Sequence, residues 1–130
     1  MGEIRSHRDL DVWKKSVDLV TDIYEITKYF PKEEIYSLTN QIRRSAISIP
    51  SNIAEGASRN HTKEFVQFLY ISLGSCSELE TQLLISFKIN YLSKEKLDLF
   101  LDRLFDLRRM VLGLIRAVTR DGKRRDGKSA

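Results

Sequence analysis

Cysteine, histidine, glycine and proline are all scarce in this 130-residue chain. Its single cysteine, Cys76, permits no internal disulfide and suits a reducing compartment. Six glycines and two prolines are too few to turn a chain of this length through many strands. The two histidines, His7 and His61, have no companions at metal-ligand spacing. There is no Cys/His cluster, Gly-rich phosphate loop, nucleophile elbow or Glu-x-x-His motif of the kind that builds metal sites in bundles. Neighbouring acids such as Glu78 and Glu80 project about 200° apart on a helix and cannot share a proton. The expectation is therefore a protein that is not an enzyme and carries no cofactor. No apolar run reaches the roughly 18 residues of a membrane span, and the charged stretch Met1 to Trp13 lacks the apolar centre of a secretory signal. A cytoplasmic location with no membrane partner is expected.

What is abundant is apolar residues at helical spacing, within an ordinary globular balance of 42% hydrophobic and 31% charged residues. In a first run Leu10, Trp13, Val17, Val20 and Tyr24 form one seam. Val12, Leu19, Ile23, Ile26 and Phe30 form another beside it. Phe30-Pro31 ends that helix and Pro31 opens the next, because proline disfavours helix before it and tolerates the first turn. A second run places Ile35, Leu38, Ile42, Ala46, Ile49 and Ile53 within about 80° of arc. Pro50 interrupts it, and the unbroken register predicts a kink rather than a break, with Gly56 and the polar stretch Ser58-Arg59-Asn60 as the stop. The third run, about 62 to 89, turns Phe65, Phe68, Leu69, Ser72, Cys76, Leu79, Leu83 and Phe87 inward. The fourth aligns Leu97, Phe100, Leu104, Leu107, Val111, Leu114, Ile115 and Val118, and ends at Asp121-Gly122. Short connections between four long helices predict an all-α, up-down-up-down four-helix bundle. The expected division is a flexible segment over 1–9, the bundle over 10–119 and a basic disordered tail over 120–130.

Charge is uneven. The net +4 resides in the segment from Arg116 onward, and the rest of the chain is formally neutral. Arg109, Arg116 and Arg120 fall within about 40° on the fourth helix and lead into Lys123, Arg124 and Arg125. Arg43, Arg59 and Lys63 lie near the turn between the second and third helices. These nine residues are candidate nucleic-acid contacts, set against the plainer reading of solvated cations and a solubilising end. No aromatics interleave them, so phosphate attraction is favoured over base stacking. Two further faces stand out. On the second helix Gln41, Arg44, Ser48, Asn52 and Glu55 line up opposite the isoleucines. They form either a solvated face or a polar network with another subunit. The third helix carries Tyr70, Ile71, Gly74, Glu78 and Ile85 outward, too apolar in part for a purely solvent-facing strip. Arg44, Ser48, Asn52, Glu55, Tyr70, Ile71, Gly74, Glu78 and Ile85 are thus candidates for an interface between copies, against scattered surface apolar residues as the alternative. A third possibility is an adaptor that presents this surface to a protein partner without touching nucleic acid.

Several segments together resemble a known family. They are Leu10-Asp11-Val12-Trp13-Lys14-Lys15, Phe30-Pro31-Lys32-Glu33-Glu34, Gln41-Ile42-Arg43-Arg44-Ser45-Ala46, the distinctive Ser48-Ile49-Pro50-Ser51-Asn52-Ile53-Ala54-Glu55-Gly56, Gly74-Ser75, and Glu78-Leu79-Glu80-Thr81-Gln82-Leu83. They are similar to the four-helix-bundle proteins encoded within intervening sequences of bacterial 23S ribosomal RNA genes, a family that includes the accessory variability proteins of diversity-generating retroelements. Ser37 departs from the pattern, which often has glycine there. The resemblance implies a cytoplasmic bacterial homopentamer with a central channel and an association with nucleic acid. In the retroelement branch it implies a reverse transcriptase and its RNA as partners. The basic tail lies outside the shared pattern.

Overall fold

A computed structural model describes residues 6–129, except for the side chains of Asp9 and of residues 123–129. Four α-helices carry the fold: α1 (Asp11–Thr27), α2 (Leu38–Ala57), α3 (Thr62–Lys88) and α4 (Lys94–Ser129). No strand occurs among the described residues. None of the helices is long and apolar enough to cross a membrane.

The core is the meeting line of the four apolar stripes. Leu19 and Ile23 of α1, Ile42, Ile49 and Ile53 of α2, Leu69, Leu79 and Leu83 of α3, and Leu104 and Val111 of α4 are all within 1% of full burial. All eight apolar positions expected on the fourth helix are buried. On α1 the seam of Val12, Leu19 and Ile23 is the buried one, while Trp13, Val17, Val20 and Tyr24 are half-buried beside it. Ile35, placed by its spacing with the α2 core, is exposed. It follows a short 3-10 turn (Lys32–Glu34) rather than lying inside a helix.

Close packing between α2 and α3 rests on small polar residues whose hydroxyls find nearby acceptors. Ser72 Oγ donates to the Ile49 carbonyl across the helices at 3.0 Å, and the Ser48 and Ser75 hydroxyls share a hydrogen bond of 2.7 Å. Such residues remove bulk from the seam without leaving polar groups unpaired. Contacts at Ser45–Glu78 and Ile49–Ser72 show α2 and α3 running in opposite senses, and those at Thr62–Gly122 and Glu80–Arg108 show the same of α3 and α4.

Two boundaries differ from those expected, and a third is reached in another way. Pro31 precedes the 3-10 turn, and α2 starts only at Leu38. α2 does end at Ala57, just before the polar Ser58-Arg59-Asn60 expected to help stop it, but Gly56 is not its capping residue. It lies buried within the helix, which is continuous through Pro50 to Ala57. Its role is close approach: a Cβ there would lie 2.9 Å from both the Phe65 ring and Phe68 Cβ. Nor does Asp121-Gly122 end the fourth helix, since α4 continues through the segment expected to be a disordered tail as far as Ser129. Gly122 keeps a negative φ and packs on Thr62, where a Cβ would lie 2.6 Å from Cγ2. A helix-stopping glycine needs a positive φ, so the Asp-Gly signal has no effect here. The residue that does end a helix in the left-handed region is Asn90 (φ 67°), after α3, with Tyr91 N–H donating to the Ser86 carbonyl at 2.8 Å. Of the N-terminal segment expected to be flexible, His7–Asp9 form a 3-10 turn, and the His7 ring meets Trp13 edge-on at 5.0 Å. Residues 1–5 and Ala130 lie outside the described residues.

Candidate nucleic-acid interface

A phosphate-binding surface needs cations that are exposed, near one another and not already paired. Arg43 does not qualify. Its Nε donates to Thr27 Oγ1 at 3.0 Å and its guanidinium stands 4.5 Å from the centre of the Tyr24 ring, tying α2 to α1. Arg59 is partly engaged, paired with Glu55 at 2.6 Å and standing over the Phe68 ring. Lys63, Arg109, Arg116 and Arg120 are exposed and have no ion-pair partner among the described residues. Arg109 rests 5.9 Å from the centre of the Phe105 ring. The side chains of Lys123, Arg124 and Arg125 lie outside the described residues.

Tertiary packing joins the two sets of cations that the sequence separates. Gly122 of α4 sits on Thr62 at the start of α3, so the turn bearing Arg59 and Lys63 meets the C-terminal half of α4 bearing Arg116 and Arg120. On the neighbouring side, α1 and α4 flank a groove of about 680 Å³ lined by Lys15, Asp106, Arg109, Met110, Leu112 and Arg116. Lys15 is a residue that sequence reasoning missed. Nothing in its local pattern distinguishes it from any outward lysine, and only the crossing of α1 on α4 brings it to the arginines. The groove holds three cations to one carboxylate, a local excess of positive charge that can draw a phosphate chain.

The candidate interface residues form a second surface where α2 meets α3. Ser48 and Asn52 are engaged within the subunit: Ser48 bonds to Ser75, and Asn52 Nδ2 donates to the Ser48 carbonyl at 2.8 Å and to Ser48 Oγ at 2.9 Å. Glu78 accepts from Ser45, and Glu55 holds Arg59 rather than Arg44. Arg44 is exposed with no partner among the described residues. Tyr70, Ile71 and Ile85 are 56%, 50% and 45% exposed, and Gly74 has nothing within 4 Å of its Cβ direction.

No cluster of three or more His, Cys, Asp or Glu able to hold a metal occurs among the described residues. Cys76 is buried in the core, and that burial pushes its thiol up to about 11, with Arg108 lowering it and Glu80 raising it to lesser degrees. A thiol held protonated is a poor nucleophile. Cys76 is expected to resist a thiol-specific reagent at pH 8 in the native protein and to react rapidly once denaturant is added. Fast labelling of the native chain would contradict this. The unfolded thiol ionises first, so the folded state should lose this increment of stability as pH rises from about 9 towards 11.

No curated protein sequence matches the chain. A crystal structure of a protein of unknown function from the S23 ribosomal protein family of Bacteroides thetaiotaomicron is similar in fold. It has a TM-score of 0.74 and 23% identity over 80% of this chain and 97% of that one. The model of the 23S rRNA-intervening sequence protein family matches residues 8–113. That stretch takes in α1, α2, α3 and the first part of α4 and stops before Arg116 and Arg120. Covering far more than half of the sequence, it shows that the chain belongs to the 23S rRNA-intervening sequence protein family.

Proposed function

We propose that the protein is a non-enzymatic, cytoplasmic, homo-oligomeric bundle that holds RNA by phosphate attraction at the end of the bundle where α4 meets the turn between α2 and α3. The observation that carries this reading is the packing of Gly122 on Thr62, which brings Lys63 to the same end of the bundle as Arg116 and Arg120, none of the three having an ion-pair partner among the described residues. Lys15 and Arg109 extend the basic surface along the α1–α4 groove. Copies assembled as the homopentamer that the family resemblance implies would bring several such ends together, so that individually weak contacts act jointly.

The test is the salt dependence of RNA binding in the chain and in a K63Q/R116Q/R120Q variant. Three lost phosphate contacts should lower the slope of log affinity against log salt by about 3, with little dependence on RNA sequence. Unchanged affinity and slope in a folded variant would overturn the reading, and the native mass measured alongside tests the assembly. A second reading, a scaffold for a protein partner such as a reverse transcriptase, draws on the exposed Tyr70, Ile71 and Ile85. It predicts that the triple variant behaves as the parent in every binding assay.

A further inference from the structure

The candidate cations have no aromatic interleaved among them in sequence, yet the structure sets one at their edge. Phe105 lies one turn before Arg109 on α4, and Phe105, Arg109, Leu112 and Arg116 project within about 60° of one another. Arg109, Leu112 and Arg116 also line the α1–α4 groove, with Lys15 facing them from α1. Phe105 is 58% exposed and Leu112 is 40% exposed, so the strip offers an open ring and an apolar neighbour between charges. Among the described residues the exposed aromatic side chains are Tyr29, Tyr36, Tyr70 and Phe105. Of these, Phe105 is the one with a cation at its ring, the Arg109 guanidinium 5.9 Å from its centre. On the other side of Phe105 the charge reverses, with Asp98 and Asp102 on the two preceding turns.

We infer that the RNA held on this surface is an unpaired strand, with one base stacked on Phe105 and its phosphates running along α4 over Arg109, Arg116 and Arg120. This rests on the RNA reading and adds the kind of strand that is taken and the seat of one base. The exposed ring selects the strand. A base inside a duplex has both faces covered by its neighbours and has none to give to a ring on a protein surface. An unpaired base presents a flat π-face, and an aromatic side chain beside a basic groove is what such a base stacks on. The charges select the direction. Asp98 and Asp102 repel a phosphate chain on the N-terminal side of Phe105, so the chain leaves the ring towards Arg116 and Arg120 and the end of the bundle where Lys63 lies. Arg109 and Arg116 stand about 10 Å apart along the helix axis, and Arg120 about 6 Å further, which makes a file of cations rather than an isolated charge. Arg109 is the cation nearest the ring and serves the phosphate next to the stacked base. Leu112, between the two arginines, gives the sugar an apolar surface. Every base has a π-face, so stacking here leaves binding as indifferent to sequence as phosphate attraction does.

Exchanges at Phe105 test it, since the side chain faces outward and its loss leaves the core intact. The parent, F105L and F105W are compared on a short oligouridine and on a blunt RNA duplex of the same length. F105L keeps an apolar side chain but has no ring, and is expected to bind the oligouridine about fivefold to a hundredfold more weakly than the parent. Its slope of log affinity against log salt should stay unchanged, because no phosphate contact is lost. F105W, which restores a ring, should bind the oligouridine at least as tightly as the parent, and neither exchange should alter affinity for the duplex. A fluorescent adenine analogue at one end of the oligouridine, tried at each end in turn, should be quenched by the parent and not by F105L. An F105L variant that binds the oligouridine as the parent does, that weakens the duplex equally, or that quenches the analogue fully would each overturn the inference. A chain that needs Lys63, Arg116 and Arg120 for RNA but loses nothing in F105L fails only this inference. A parent with no affinity for either RNA fails the proposed function and this inference with it.

Discussion

Ile53→Ala is expected to lower stability by about 2–5 kcal/mol, a large share of what a single domain possesses. Ile53 is fully buried in the stripe that α2 turns to the core, so truncation removes its transfer free energy and leaves a cavity that neighbouring helices fill only in part. Ile85→Ala on the outer face of α3 deletes the same atoms from a side chain that is 45% exposed, and should change monomer stability by less than about 0.5 kcal/mol. Paired denaturant titrations of the two variants measure the contrast. Equal effects would mean that the inner and outer faces have been wrongly assigned. A large loss at Ile85 that grows with protein concentration would instead mark it as a contact between copies.

Gly56→Val is expected to be the most damaging change at a position with no side chain to lose. The new Cβ would meet Phe68 Cβ at 2.9 Å and the Phe65 carbonyl oxygen at 3.1 Å. Neither atom can rotate away, so α2 and α3 must separate there. Overpacking of this kind costs about 1–3 kcal/mol, more than the roughly 0.5–1 kcal/mol by which helix propensity favours replacing a glycine. A fall in melting temperature of about 4 °C per kcal/mol should accompany it. A variant as stable as the parent would show that the helices have room to yield. Gly74→Ala, with nothing within 4 Å, should follow propensity alone and gain slightly.

The legibility of this chain varied by kind of signal. The apolar stripes of α2 and α4 could be read because a helix repeats its face every three to four residues, and burial follows that repeat wherever a partner helix runs alongside. Phe65, Phe68 and Phe87 were read as core on α3 but are only half-buried, because periodicity gives a face and not the depth to which a large ring sinks. The role of glycine was misread at two positions for one reason, although α2 does end at the Ser58-Arg59-Asn60 stretch expected to stop it. Gly56 and Gly122 look like helix stops in sequence, yet each is glycine because another helix presses on it. Arg43 and Arg59 show the converse difficulty, since a cation's charge is visible in sequence and its partner is not.

The succession of helices, their inward sides and the family were properties of the sequence itself, because each depends on residues close together along the chain or on short motifs. Which glycines are contacts, which arginines remain unpaired, and that Lys15 lies beside Arg109 and Arg116 were settled only by the tertiary structure. Those facts depend on residues as much as a hundred positions apart, brought together by the crossing of helices, and no local pattern encodes that meeting.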